Sequence, residues 1–205
     1  MTHRTNVLVL VAAGLALVAP MLAQEPGKTA CTPDDVAAAI ARTAAVGPYH
    51  SHLKPLVGKW RVQGRFRMAA DAPWQEHKSD CTVDAALGGR FVEQRYKGEP
   101  MFGGTTPFEG IGFLGYDNDK QKYVSVWLDN MDTMIMTSVG TCDDAGKTLT
   151  FRSADFTCPV TKQNTYVKFV YQIEGKDRYV LRMYSPGPDG KEFEGMELVH
   201  TRANT

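Results

Sequence analysis

The feature that most constrains this chain is an alternation of period two, interrupted only by tight turns, between Phe108 and Cys142. Phe108 to Tyr116 is aromatic and β-branched, with glycines at Gly110, Gly112 and Gly115 where a strand bends or another backbone comes close. Asp117-Asn118-Asp119-Lys120 supplies turn chemistry, Tyr123 to Asp129 a second run, Asn130-Met131-Asp132 a second turn, and Thr133 to Cys142 a third run. Three antiparallel strands joined as hairpins are expected there.

The same pattern extends both ways. Trp60, Val62, Phe66 and Met68 alternate with Arg61, Gln63, Arg65 and Arg67, and Asp80 and Asp84 on the following strand offer cross-strand partners for those arginines, with Cys81, Val83 and Ala85 inward. The strand from Arg90 to Tyr96 leaves its inward face open: Phe91, Glu93 and Arg95 compete with Val92, Gln94 and Tyr96. Runs at 147–153, 166–173, 178–184 and 192–202 complete about ten strands, with turns such as Pro186-Gly187-Pro188-Asp189-Gly190 and no crossover helix. Neighbours in sequence should be neighbours in the sheet, and a twisted sheet of that width loses its exposed edges by closing. The expected fold is all-β, an up-and-down antiparallel barrel, with a two-sheet sandwich as the alternative. Thr32-Pro33-Asp34-Asp35 reads as a helix start, Val36 to Val46 as its body and Gly47-Pro48 as its stop, giving one short N-terminal helix.

Residues 1–23 differ in kind. Arg4 precedes an apolar run from Val7 to Ala19, too short to span a bilayer comfortably, and Pro20-Met21-Leu22-Ala23 ends it before Gln24. This reads as a secretory signal peptide cut after Ala23, with residues 24–47 a linker and short helix, residues 48–205 the barrel, and the periplasm or exterior as destination. An uncleaved anchor is the alternative, and the polar residues before Cys31 argue against lipidation. Without residues 1–23 the charges nearly balance, so no nucleic-acid partner and no stable membrane insertion after cleavage are expected.

Four cysteines in an exported chain suggest two disulfides. Cys142 and Cys158 stand at opposite ends of a returning strand, so Cys31 and Cys81 are the expected partners of Cys142 and Cys158, in either arrangement. The spacing suits no metal site.

Gly58-Lys59-Trp60 resembles the Gly-x-Trp signature of lipocalins and related calycin barrels. That resemblance implies a tryptophan plugging the closed end with a basic residue, here Arg202, packed across its ring. A wider pattern runs through Leu56 to Trp60, Leu87 to Phe91, Tyr96 to Glu99, Phe108 to Gly110, Gly115 to Asp117, Trp127 to Met131, Thr137 to Gly140 and Pro186 to Phe193. In this order the segments resemble the exported bacterial proteins called domain of unknown function 1579. The likeness covers roughly Pro48 to Arg202; it implies a calycin-like β-barrel and no established activity.

Motifs of hydrolases, metalloproteases and phosphate-binding loops are missing, and no cofactor is expected. The most suggestive cluster is Trp127, Asp129, Met131, Met134 and Met136, an apolar, adaptable surface with a polar rim at a barrel mouth. Tyr116, Tyr123, Phe151, Phe169 and Tyr171 are candidates for the lining. Glu93 and Arg95, if inward, would need a ligand or each other. Three readings follow: a module binding a small apolar or amphipathic ligand; a cavity enzyme, hydrolase or isomerase, using Asp129, Glu93 or His200 as acid or base; and a filled envelope interaction protein. A lone inward His200 could also ligate haem, although such a histidine is more often a hydrogen-bonded core residue.

Overall fold

The computed structural model describes residues 31–203. Ten antiparallel strands close into one barrel: β1 (Gly58–Phe66), β2 (Gln75–Ala86), β3 (Phe91–Pro100), β4 (Pro107–Asp117), β5 (Lys122–Asp129), β6 (Met136–Cys142), β7 (Thr148–Ser153), β10 (Lys168–Ile173), β11 (Arg178–Pro186) and β12 (Glu192–Arg202). Successive strands are neighbours, and β1 pairs with both β2 and β12, so the sheet has no free edge. The closed barrel, rather than the sandwich, is the architecture. A two-stranded excursion, β8 (Phe156–Thr157) with β9 (Asn164–Thr165), interrupts the passage from β7 to β10. Its strands are too short to carry a period, which is why the sequence reads there as loop.

Helix α1 (Pro33–Thr43) begins where its signals lie. Thr32 accepts from the Asp35 N–H while the Asp35 carboxylate accepts from the Thr32 N–H, a reciprocal capping box. The helix rests on the outside, tied down where the Asn118 side-chain amide donates to the Thr43 and Ala45 carbonyls and Arg42 pairs with Asp119. After it, residues 48–57 pass beneath one end of the barrel and bury His50, Leu53 and Leu56 against it. That end is closed. The other, bounded by residues 67–74, 101–106, 130–135, 154–167 and 187–191, carries no such cover among the described residues.

Alternation places Trp60, Val62 and Phe66 inward on β1, and Val92, Gln94 and Tyr96 inward on β3. Strand β1 stops at Phe66, so Met68 is exposed rather than in the core. Arg65 finds its carboxylate on β12, at Glu197, and Arg65 and Arg67 both pack on the Trp74 ring, at 4.6 and 4.5 Å. Arg61 stands opposite Asp80 in the β1–β2 register, as expected, while the half-buried Arg65 takes its carboxylate from β12, so the stripe belongs to the outer wall.

All four cysteines are free, which corrects the disulfide expectation. Cys81 is buried inside the wall beside Tyr96 and Tyr179, Cys142 ends β6, Cys158 lies in the β8–β9 excursion, and Cys31 precedes α1. A thiol locked into the barrel interior cannot reach a partner on an outer excursion without unfolding its strand. The signal-peptide reading falls on residues 1–23, outside the described residues.

Candidate functional site

The closed end is assembled first, because it sets the floor of what lies above. Gly58 has φ +145°, and a side chain there would overlap the Arg202 guanidinium. With that space clear, Arg202 lies 4.2 Å over the Trp60 ring, donates from Nη1 to the Val57 carbonyl at 3.2 Å and from Nε to the Lys176 carbonyl at 2.7 Å. The Trp60 indole N–H donates to the Leu56 carbonyl at 2.8 Å. This is the lock that the Gly-x-Trp resemblance implies.

Further in, Tyr179 meets Trp60 edge-on at 4.8 Å and stacks on His200 at 3.9 Å. The Leu198 carbonyl, 3.2 Å from His200 Nδ1, can only accept, so Nδ1 carries the proton and Nε2 accepts from the Tyr96 hydroxyl at 2.7 Å. Both ring nitrogens are occupied and the residue is fully buried; burial lowers the His200 pKa to about 3. Haem ligation would require breaking one of these bonds. Burial likewise pushes the Cys81 thiol up to about 12, which leaves it protonated and inert.

Above this layer the barrel is hollow. A cavity of about 240 Å³ opens toward the uncovered end. Its floor is Gln94, Leu114, Tyr171 and Leu181; its walls carry Phe108, Trp127, Phe151 and Phe169. Five of the nine methionines, Met101, Met131, Met136, Met183 and Met196, line it, so much of the surface is flexible and polarizable. Gly110 and Gly112 make room for Trp127: a Cβ on Gly112 would stand 2.7 Å from the indole, and one on Gly110 would overlap it. The Trp127 N–H donates to Asp129 Oδ2 at 2.8 Å, while Asp129 Oδ1 accepts the Met131 N–H at 2.9 Å, which fixes both side chains at the mouth. Phe102 reaches over the rim from a left-handed backbone, φ +54°, and packs edge-on against Phe66 at 4.8 Å.

Two polar side chains inside are telling. His77 is buried near the mouth, and desolvation lowers its pKa, keeping the imidazole neutral despite Glu99. Gln94, 1% exposed, accepts a long 3.4 Å hydrogen bond from the Tyr171 hydroxyl at Oε1, and its Nε2 has no partner among the described residues. None of the described lining residues is a lysine or arginine.

The structure brings together Trp127, Asp129, Met131 and Met136 from the expected cluster. Met134 stays outside the cavity, because β6 begins only at Met136 and residues 132–134 form a turn in which the Met134 N–H bonds Asp132. Glu93 and Arg95 face outward and pair with each other, the inward parity having gone to Val92, Gln94 and Tyr96. Tyr116 lies at the closed end, stacked on Tyr49 at 4.5 Å, and Tyr123 is there too, joined to His52. Asp129, Glu93 and His200 therefore occupy the mouth, the outer wall and the closed end, and do not converge. Gln94, His77, Met101 and Phe102 were not foreseen as lining; only the β3 parity choice pointed to Gln94.

No curated protein matches the chain. The crystal structure of Rv2717c from M. tuberculosis is similar in fold, with a TM-score of 0.58 at 15% identity, covering 78% of this chain and 100% of that one. A redesigned β-barrel, b11L5F_LGL, matches at 14% identity over 75% of this chain and 96% of that one, with a TM-score of 0.39. Residues 46–202, from the segment beneath the closed end to the last strand, match the family described as "Protein of unknown function (DUF1579)", and the chain belongs to that family.

Proposed function

We propose that this protein is a binding module that takes a small, mainly apolar molecule through the uncovered end of the barrel. The observation that carries this reading is the methionine- and aromatic-lined cavity above a fully packed floor. A hollow of this kind in a barrel otherwise closed and packed loses dispersion contacts that an occupant restores. An enzymatic role is disfavoured by the separation of Asp129, Glu93 and His200 described above. Export to the periplasm or exterior is part of the proposal and rests on the apolar run Val7 to Ala19 alone.

The test is native mass spectrometry of the protein purified from its own host, before and after denaturing extraction. A small molecule that co-purifies and is lost on denaturation supports binding. A bare mass, together with no quenching or shift of Trp127 fluorescence on titration with apolar probes, overturns it. Fractionation of the host checks export: recovery in the cytoplasm with residues 1–23 intact overturns that part.

A further inference from the structure

Granted a barrel that takes an apolar molecule, the geometry points to the chemistry of its head: a neutral hydrogen-bond acceptor of the carbonyl type, held at the cavity floor by the Gln94 amide, with the tail toward the mouth. Gln94 Nε2 is a buried donor without a partner among the described residues, on a side chain that lines the floor. Such donors are rare in folded proteins because leaving one unsatisfied is costly, and an acceptor brought in by a ligand removes that cost. The Tyr171 hydroxyl donates to Oε1, which orients the amide so that the N–H side is the unused one.

The same surroundings exclude an anionic head. A carboxylate at the floor would be desolvated with no described lysine or arginine in the lining to pair with, and burial holds His77 in its neutral form. Asp129, at the mouth, adds like charge on the way in. At about 240 Å³ the space is below the roughly 300–1,000 Å³ usual for drug-sized ligands, so the occupant is a short molecule. A medium-chain ketone, aldehyde, ester or amide fits these terms, and a free fatty acid does not.

The experiment titrates the protein with four matched probes, 2-nonanone, nonane, 1-nonanol and nonanoate at pH 8, followed by Trp127 fluorescence and calorimetry. Preference for 2-nonanone over both nonane and nonanoate by roughly tenfold or more is expected. Gln94→Leu should lose the preference over nonane while still binding both, and Gln94→Met, an unbranched near-isostere, gives the same readout if the leucine variant does not fold. Binding of nonane or nonanoate as tightly as the ketone, or an undiminished ketone preference in the Gln94 variant, overturns the carbonyl assignment and leaves the binding reading intact. No binding of any probe overturns both. 1-Nonanol, which both donates and accepts, checks the direction of the bond: affinity no greater than the ketone's supports an acceptor at Gln94 Nε2, and affinity well above the ketone's that survives Gln94→Leu overturns it.

Discussion

The two ends of this barrel are cut from the same ten strands, yet they solve opposite problems. At the closed end, inward side chains interlock: Arg202, Trp60, Tyr179 and His200 lie in successive contact, and every hydrogen-bonding group of Trp60 and His200 is used. At the uncovered end the inward positions carry methionines, phenylalanines and small serines that leave space between them. The stack continues from His200 through Tyr96 to Trp127, so the rigid floor positions one wall of the cavity. Stability is concentrated below and adaptability above.

That division can be broken by mutation. Trp60→Ala should cost roughly 3–5 kcal/mol, since it removes a buried aromatic and strands Arg202 and the Leu56 carbonyl; the midpoint of chemical denaturation checks it. A loss under about 1 kcal/mol would mean that the closed end is not the anchor.

Acid should attack the same end next. His200 binds its proton near pH 3 when folded and near the ordinary 6.5 when unfolded, so between those values the unfolded chain holds more protons. Its contribution is complete above pH 6.5 and is lost as pH falls, reaching about 2 kcal/mol by pH 5. His50 and His77, also lowered by burial, act in the same direction. Denaturation midpoints between pH 5 and 8 measure the slope, and His200→Gln should flatten it.

At the hollow end effects should be smaller. Met136→Ala, half-buried beside existing space, should cost roughly 1 kcal/mol in melting experiments; a loss as large as that of Trp60→Ala would show that the cavity wall is packed as tightly as the floor. Phe102→Gly should change stability least, within about 1 kcal/mol of zero, because relief of the left-handed backbone offsets the lost contact with Phe66. The same variant should speed exchange of a bound probe, read by stopped-flow fluorescence.

Much of this division was legible in the chain. Period-two alternation and hairpin turns are local signals and set strand number and order, whereas the roles of Gly58, Trp60 and Arg202 at the closed end were implied by the resemblance to calycin barrels, Trp60 and Arg202 standing on the first and last strands. The hollow was legible only in part. Trp127, Met131 and Met136 stand out by type, but Gln94 is polar on a strand whose two parities are equally mixed, and only closure of the ring decides that Glu93 and Arg95 look outward. Tyr116 and Tyr123 are inward residues too; which end they serve depends on where residues 48–57 dock, a contact distant in sequence. The free cysteines teach the same lesson, since an even count does not bring sulfurs together.

Cys81 has a practical consequence. Its thiol is enclosed at the anchored end and held protonated, while Cys158 is partly accessible and its pKa is lowered by Thr161. A thiol reagent will therefore mark Cys31 and Cys158 first and Cys81 only during moments when the anchored end comes apart. The barrel carries its own stopwatch for opening, readable by mass, with no label introduced by design.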